Sequence, residues 1–321
     1  MTRLPDHAIF TLLRLLDDGK THAIEVLTQK LCCSPAVMRE LITQLQTTYG
    51  VSIDTLANGS YRLHRPFEWL AEDRVYALLT PPARHVFTLS FVDEVSSSNT
   101  VLQALPEQAR SSGLVLGAEW QHACRGRMHK TWQVALGGSL TFSVLWHFAN
   151  KPLALSGVTL AAGIAVIRAL HQLQVPAQLK WPNDIVLCQG KLGGILVEAI
   201  HQHAQGTWGV IGMGLNIGDA PNRPATAVYC TIASRNILLA YILNALEAVL
   251  TVLATQGFQC LQKEWEKACV HLDLPVQLLV PNGQIMQGIA QGVNEQGALL
   301  LKTDQGVHPY HVGDISLIMM P

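Results

Sequence analysis

One short basic segment has the composition of a loop that closes over an anion. The run Gln121-His-Ala-Cys-Arg-Gly-Arg-Met-His-Lys-Thr-Trp132 contains Arg125, Arg127 and Lys130 but no acidic residue. Guanidinium and ammonium groups bind phosphate and carboxylate oxygens. The pattern therefore predicts a basic loop over a polyanion such as a nucleotide phosphate. Taken alone, the segment fits a solvated basic loop equally well.

A second polar cluster, Lys180-Trp-Pro-Asn-Asp184, is built around a proline. Pro182 restricts the residue before it to extended backbone, so the flanking polar side chains are expected to converge from a rigid turn. A lysine there would bind phosphate or carboxylate, and an aspartate would bind Mg²⁺ or a purine hydroxyl or amine. The alternative is an ordinary strand end with an Asx turn.

Two glycine-containing strands and a serine cluster complete the candidates. Lys191-Leu-Gly-Gly-Ile-Leu and Gly212-Met-Gly-Leu-Asn216 carry glycines that let a ligand approach the backbone, although a structural bulge is the usual reason for such glycines. Ser96-Ser-Ser-Asn99 either caps a helix that opens at Thr100 or offers hydroxyls to a small polar ring. Considered by itself, this serine cluster favours the cap.

The elements that must position these residues fall into three parts. Residues 1–65 show helical spacing from Ala8, from Ala23 and from Pro35, and Ser34 is a plausible N-cap for the third helix. Asn58-Gly59 predicts a hairpin turn. Three helices and a hairpin predict a winged helix-turn-helix domain over residues 1–65.

The remainder predicts an α+β protein. Residues 66–272 alternate strand-like and helix-like stretches, including a buried helix from Val158 and a long helix from Ile237, which indicates a mixed α/β catalytic domain. Residues 273–321 consist of short strands and turns, which predicts a small β-barrel.

Composition narrows the class of protein. The chain has 321 residues, 49% of them hydrophobic and 14% charged, with a net charge of −1, so it is neither disordered nor a polycation. Its seven cysteines form no C-x-x-C pair, which argues against a zinc ribbon and fits a reducing cytosol. We see no secretory signal and no apolar run of membrane-spanning length, so the expectation is a cytoplasmic protein without a membrane partner.

The order of these motifs carries more information than any one of them. Ser-Ser-Asn, the basic loop, K-W-P-N-D, K-L-G-G-I-L, G-x-G-x-N and a terminal β module follow one another, and in this order the chain resembles the biotin protein ligases over nearly its whole length. The close pairing of K-W-P-N-D with K-L-x-G-I-L is the most specific feature. With its N-terminal unit, the chain looks like the bifunctional members that also repress the biotin operon.

The resemblance implies a fold and a reaction. The central domain would be class II synthetase-like, and the C-terminal module an SH3-like β-barrel. The family uses biotin and ATP with Mg²⁺ to form biotinyl-5′-AMP and pyrophosphate. It then transfers biotin to a lysine of the biotin carboxyl carrier protein of acetyl-CoA carboxylase.

The resemblance also assigns residues, while leaving the metal ligands unassigned. The catalytic residues would be Lys191 and Arg127. The biotin-binding residues would be Ser97, Ser98, Gln121, Arg125, Lys191, Gly194 and Gly212. The ATP- and adenylate-binding residues would be Arg127, Lys130, Trp132, Lys180, Asn183, Asp184 and Asn216.

This chain departs from the family in the basic loop. The family reads G-R-G-R-x-G-R, whereas here Cys124 and His129 stand where glycines are usual and Lys130 replaces an arginine. Cys and His resist positive φ, so this loop is expected not to adopt all the same turns without strain. We expect ligation to be kept, because both arginines remain, with the adenylate held less tightly.

The unit that is predicted to bind DNA carries little net positive charge. Within residues 1–65, Lys and Arg number 7 and Asp and Glu number 6, a net charge of +1, which is low for a protein that binds DNA phosphates. The residues expected to reach operator DNA are Ser34, Arg39, Thr43 and Gln44. In the repressor relatives the adenylate promotes a homodimer that matches a two-fold operator, and we expect the same here.

Three other functions stay open. One is a biotin ligase without DNA-binding regulation. Another is a biotin-sensing transcription factor whose ligase activity is impaired by the altered loop. A third is a lipoate ligase or lipoyl transferase, against which the two lysine motifs argue.

Overall fold

The computed structural model describes residues 8–127, 131–149, 155–203, 206–218, 232–280, 283–311 and 316–319. The chain divides into two compact units. One comprises the residues up to Trp69 together with Ala135–Gly138. The other comprises Leu70–Val134 and the described residues from Ser139 onward.

The N-terminal unit contains three helices and a hairpin: α1 (Ala8–Leu16), α2 (Ile24–Leu31), α3 (Pro35–Thr47), β1 (Ile53–Thr55) and β2 (Tyr61–Leu63). The two strands pair antiparallel. Ser34 caps α3 as predicted, because its hydroxyl accepts from the Val37 amide at 3.4 Å. Cys32 ends α2 in the left-handed region at φ 51°, a conformation that favours glycine.

The second unit contains a seven-stranded sheet with helices against it. Its elements up to the C-terminal module are α4 (Glu72–Leu78), α5 (Pro81–Val86), β3 (Thr88–Val95), α6 (Ser98–Gln103), β4 (Leu114–Gln121), β5 (Ser139–Ala149), α7 (Leu155–Gln172), β6 (Gln178–Lys180), β7 (Asp184–Leu187), β8 (Gly190–His203), β9 (Gly206–Asn216), α8 (Arg235–Gln256) and α9 (Gln259–Ala268). The strand order is β3-β4-β5-β9-β8-β7-β6. The β3–β4 pair is parallel and the other pairs are antiparallel.

The two faces of this sheet differ in composition because side chains alternate along a strand. On β9, Ile211, Met213 and Leu215 enter the main core, which also contains the buried residues of α7 and α8. The intervening positions of β9 include Gly212 and Gly214. The core face is therefore filled with hydrophobic side chains, whereas the opposite face is left bare in the middle of the sheet.

The C-terminal module is a five-stranded antiparallel sheet made of β10 (Pro275–Leu279), β11 (Ile285–Val293), β12 (Leu299–Thr303), β13 (Gly306–Tyr310) and β14 (Ser316–Met319). The strand order is β13-β12-β11-β10-β14. It joins the large sheet through Trp181, which is 1% exposed and donates its indole N–H to the Gly297 carbonyl at 3.1 Å. Ser156 also donates to the Gln296 carbonyl.

Three details of the second unit go beyond the sequence analysis. Helices α4 and α5 precede the first strand of the large sheet, and α5 ends at Val86. A short helix, α9, follows the long helix α8. Within the described residues, α8 is also long and apolar enough to cross a membrane, with a mean hydropathy of 2.1 over 18 residues, yet half of that stretch is buried inside the protein. That burial is typical of a core helix.

Candidate active site

The candidate site lies on the bare face of the large sheet, where glycines leave room for neighbouring side chains. A Cβ at Gly212 would collide with the side-chain amide of Asn99, and a Cβ at Gly214 would lie 2.8 Å from the Trp132 ring. Gly194, on β8, lies against the end of Lys191, where a Cβ would be 3.4 Å from Nζ. The glycines flagged in the sequence therefore permit close approach over the sheet.

A buried polar network lines one side of this face. Ser98 donates its backbone N–H to Gln121 Oε1 at 2.9 Å, and its hydroxyl lies 2.6 Å from the hydroxyl of Ser143. Ser143 in turn donates to Asn99 Oδ1 at 2.5 Å. Gln121 Nε2 is buried and has no hydrogen-bond partner among the described residues. A buried donor without a partner is costly, so this atom is suited to meet a ligand acceptor.

The helix after the serine cluster begins two residues earlier than expected. α6 opens at Ser98, and Ser97 occupies the N-cap position without any side-chain capping bond. The cap interpretation was therefore wrong in detail. The cluster instead delivers Ser98 and Asn99 to the polar network, and Ser97 and Ser98 are each 4% exposed.

The lysine of K-L-G-G-I-L forms the centre of the charged part of the site. Lys191 Nζ lies 2.6 Å from Asp184 Oδ1, which brings the two lysine-bearing motifs together. The same ammonium lies 5.7 Å from the centroid of the Trp132 ring, within cation–π range. Trp132 Nε1 is buried without a partner among the described residues. These residues are separated by as many as 59 positions in the sequence, and the fold places them side by side.

Two loop arginines reach opposite sides of the site. Arg125 donates to Thr100 Oγ1 at 3.2 Å and pairs with the carboxylate of Glu198 at 3.3 Å. Arg127 donates to Asn183 Oδ1 at 3.4 Å. The loop therefore contacts α6 and β8 through one guanidinium and the K-W-P-N-D turn through the other. Lys130 and His129 lie outside the described residues.

The backbone at Cys124 is not strained. Among the described non-glycine residues, positive φ occurs at Cys32, Gln174 and Asp273, so Cys124 adopts an ordinary conformation. Its thiol donates to Gln121 Oε1 at 3.1 Å. Burial raises the pKa of this thiol to about 12. The expected conflict between a cysteine and a glycine-specific turn does not arise at this position.

The remaining residues that were predicted to bind ATP or the adenylate are Asn183, Lys180 and Asn216. Asn183 is held by reciprocal bonds with Ile195, donating from Nδ2 at 2.8 Å and accepting at its own carbonyl at 2.9 Å. Lys180 pairs in register with Asp184. Its charge helps to lower the pKa of His271, which burial depresses to about 4. Asn216 is 4% exposed at the end of β9.

Asp184 is the carboxylate of this site that we consider for metal binding. Within the described residues no group of three or more His, Cys, Asp or Glu side chains is placed to hold a metal ion. Asp184 carries the carboxylate nearest to Lys191, and Asn183 next to it offers a side-chain oxygen. This donor set suits a Mg²⁺ ion whose remaining ligands come from phosphates and water.

The four residues expected to contact DNA lie on or next to α3 of the N-terminal unit. Ser34, Arg39 and Thr43 are exposed and Gln44 is half-buried. The Ser34 hydroxyl is engaged in capping, and Thr43 Oγ1 donates to the Arg39 carbonyl at 2.8 Å. Arg62 on β2 is paired with Asp54 at 3.0 Å.

Sequence reasoning missed three residues of the polar network. Glu198, Ser143 and Asn99 were not predicted as site residues, yet each joins the network or the basic loop. A signal existed for two of them. Ser143 lies between Phe142 and Val144, and Glu198 ends the run that begins at Lys191, both as polar side chains where a core strand was expected.

Comparisons with known proteins agree with this geometry. Residues 91–216 match the biotin/lipoate A/B protein ligase family, and residues 271–318 match the biotin protein ligase C-terminal domain. The structure is similar to a biotin protein ligase from Aquifex aeolicus in complex with biotin and ATP. The TM-score is 0.63 with 25% sequence identity, covering 73% of this chain and 99% of that one.

Two curated relatives extend the match. The chain is 33% identical over 316 residues to the bifunctional ligase/repressor BirA of Salmonella typhimurium, covering 96% of both proteins. It is 31% identical over 239 residues to the biotin–[acetyl-CoA-carboxylase] ligase of Mycobacterium tuberculosis, covering 71% of this chain and 88% of that protein. The chain belongs to the biotin protein ligase family.

Proposed function

We propose that this protein joins biotin to ATP, forming biotinyl-5′-AMP and pyrophosphate, and then biotinylates a lysine of the biotin carboxyl carrier protein of acetyl-CoA carboxylase. The observation that carries the proposal is the position of Lys191, whose ammonium lies against Asp184 and Trp132 next to the arginine loop. This is a cation where two anionic substrates must meet.

The first step is an attack by the biotin carboxylate oxygen on the α-phosphorus of ATP. An oxygen–phosphorus bond forms, and the bond to the departing pyrophosphate breaks. Two anions repel one another, so fixed cations lower the barrier. We assign this role to Lys191 and Arg127, with Arg125 toward the biotin side.

In the second step the amine of the carrier lysine attacks the carbonyl of the mixed anhydride. The amide bond forms, AMP leaves, and the amine loses a proton. No covalent bond to the enzyme is required. Side chains of the protein act by holding the adenylate and excluding water.

The remaining residues are proposed to divide between the two substrates. Ser97, Ser98, Gln121, Gly194 and Gly212 would line the biotin pocket. Trp132, Lys180, Asn183, Asp184, Asn216 and, in the loop, Lys130 would serve ATP and the adenylate. A Mg²⁺ ion held by Asp184 and Asn183 would neutralise charge on the phosphates.

We also propose the finer assignment of the domains. Residues 1–65 would be a winged helix-turn-helix domain, residues 66–272 a class II synthetase-like catalytic domain, and residues 273–321 an SH3-like barrel. We propose a cytoplasmic location, which suits the carrier-protein partner and a set of cysteines that includes the exposed Cys188 and Cys260.

A second candidate function is repression of the biotin operon. The exposed Arg39 and Thr43 on α3 favour it, as does the similarity to a bifunctional ligase/repressor over 96% of the chain. We propose an adenylate-bound homodimer that binds operator DNA through Ser34, Arg39, Thr43 and Gln44. A salt-titrated binding assay, with and without biotin and ATP, tests it. Binding and dimerisation that do not respond to the ligands would leave a ligase without regulation.

The deciding experiment is biotin-dependent ATP–pyrophosphate exchange. Wild type is expected to exchange, Lys191→Ala is expected to lose at least about a hundredfold in rate, and Lys263→Ala, which removes an exposed lysine of α9, is expected to match wild type. Exchange supported by lipoate as well as biotin would favour the lipoate reading. Folded wild type that binds biotin but does not exchange would indicate a sensor with impaired ligase activity.

A further inference from the structure

The direction of each hydrogen bond in the buried network can be deduced from its ends. Glu198, on β8, accepts from Asn99 Nδ2 at 2.8 Å. A carboxylate accepts hydrogen bonds and does not donate them. The amide nitrogen of Asn99 must therefore face Glu198, and its oxygen must face the other way. This settles the amide orientation that geometry alone would leave ambiguous.

The two serines then have one arrangement of protons that satisfies both of their short contacts, the 2.5 Å and the 2.6 Å contact. Asn99 Oδ1 can only accept, so Ser143 donates its single hydroxyl proton to it over 2.5 Å. The 2.6 Å contact between Ser143 and Ser98 is then a hydrogen bond only if Ser98 donates. With its own proton committed, the Ser98 oxygen is left with lone pairs and acts toward a ligand as an acceptor.

The orientation of the Gln121 side-chain amide can be deduced independently, from the opposite end of the network. The Ser98 backbone N–H can only donate, so the side-chain atom 2.9 Å away is the oxygen of Gln121. The buried nitrogen, Nε2, points elsewhere and has no partner among the described residues. The Ser98 hydroxyl oxygen lies 3.4 Å from Gln121 Oε1, so the Ser98 acceptor stands next to the side-chain amide whose nitrogen is the free donor. That pair complements a group with an N–H beside a carbonyl, as in a cyclic urea.

From this series of hydrogen bonds we propose that Glu198 is a positioning residue. It sets which atoms of the biotin pocket donate and which accept, through Asn99, Ser143 and Ser98. The proposal rests on the biotin ligase function put forward above. Glu198 touches neither substrate: it acts through Asn99. A neutral, isosteric glutamine in its place can donate as well as accept, so it keeps the shape but no longer fixes the order of the hydrogen bonds.

The test measures biotin affinity of the full-length protein by calorimetry. Glu198→Gln is expected to raise the Kd for biotin about tenfold, the effect of losing one charge-assisted hydrogen bond. Glu107→Gln, on the exposed helical turn after α6, is the matched control and is expected to leave the Kd unchanged. The melting temperature of each variant is measured alongside.

A second, compensating substitution separates the effect of hydrogen-bond direction from the effect of side-chain shape. In Glu198→Gln combined with Asn99→Asp, the glutamine donates to the new carboxylate, whose other oxygen still accepts from Ser143, so the order returns. We expect biotin affinity within about threefold of wild type, since residues in contact are energetically coupled and the second substitution compensates for the first. A purely structural role would make the double variant worse than either single variant, and that result would overturn the proposal.

Arg125 supplies the competing explanation, because it also pairs with Glu198. If Glu198 acted through Arg125, the effect of Glu198→Gln would vanish in an Arg125→Ala background and persist in an Asn99→Ala background. The proposal requires the reverse. Wild type that fails to bind biotin at all would overturn the ligase function itself, and the proposal with it, whereas unchanged biotin binding in Glu198→Gln would overturn the polarity role alone.

Discussion

Lys191 Nζ and Asp184 Oδ1 lie 2.6 Å apart, and this contact joins two motifs that lie on the neighbouring strands β7 and β8. The carboxylate holds the ammonium at the place where we propose that the biotin carboxylate and the α-phosphate meet. A charge-assisted bond of this kind contributes more than a neutral one, although partial exposure of both side chains reduces its strength.

Asp184→Asn is therefore expected to lower the rate of ATP–pyrophosphate exchange about tenfold or more, because Lys191 loses its anchor and the proposed Mg²⁺ ion loses a ligand. The measurement is a double-mutant cycle with Lys191→Ala. Since both residues serve one function, their effects should be strongly non-additive. Strictly additive losses would show that Asp184 acts independently of Lys191.

The buried ion pair between Glu119 and Arg235 is expected to control the stability of the second unit. The two groups lie 2.7 Å apart with 3% of each side chain exposed, and they also bind the Leu70 amide and the Ser139 carbonyl. Glu119→Gln leaves a buried guanidinium without its counter-charge and should lower the free energy of unfolding by about 3 kcal/mol.

Denaturant unfolding checks this value. The half-exposed pair of Arg168 and Glu264 provides the control, and Glu264→Gln should cost less than about 1 kcal/mol despite its two 2.7 Å bonds. Equal losses at the two sites would contradict the role given to burial.

The imidazole of His271 makes the protein sensitive to acid. Burial, aided by the charge of Lys180, lowers the pKa of His271 from 6.5 to about 4. Between these values the unfolded chain takes up a proton that the folded protein refuses. Stability from this group is thus complete above about pH 6.5 and is lost as the pH falls toward 4, amounting to about 2 kcal/mol between pH 7.5 and 5.

His271→Leu should flatten this dependence when unfolding is measured at both pH values. His85→Leu, at an exposed histidine in α5, should leave the slope as in wild type. An unchanged pH dependence in His271→Leu would refute the assignment.

The thiol of Cys124 is expected to resist alkylation. Its pKa, raised by burial to about 12, keeps the reactive thiolate at roughly one part in ten thousand at pH 8. Iodoacetamide should label the exposed Cys32, Cys188 and Cys260 first, as mapped by mass spectrometry of the native protein. The difference should disappear in denaturant. Labelling of Cys124 at the rate of Cys188 in the native state would contradict the half-buried, hydrogen-bonded position.

Much of the site could be predicted because its chemistry is written in local motifs. The two lysine motifs, the arginine loop and the serine cluster were identified from residue type and order, and family membership is confirmed. Helices such as α3 were also predictable, because Ser34, Pro35 and the buried positions Met38, Leu41 and Leu45 are local signals. The individual ligand assignments stay predictions.

What the sequence determined by itself was therefore the set of reactive groups and their family, since residue type fixes charge and hydrogen-bonding capacity. Only the tertiary structure decided which groups meet. Glu198, Asn99, Ser143 and Ser98 come from three separate elements, and their proton order follows from distances that no linear pattern encodes. The pairing of β8 with β9 and the packing of α6 against the bare glycine face create those distances.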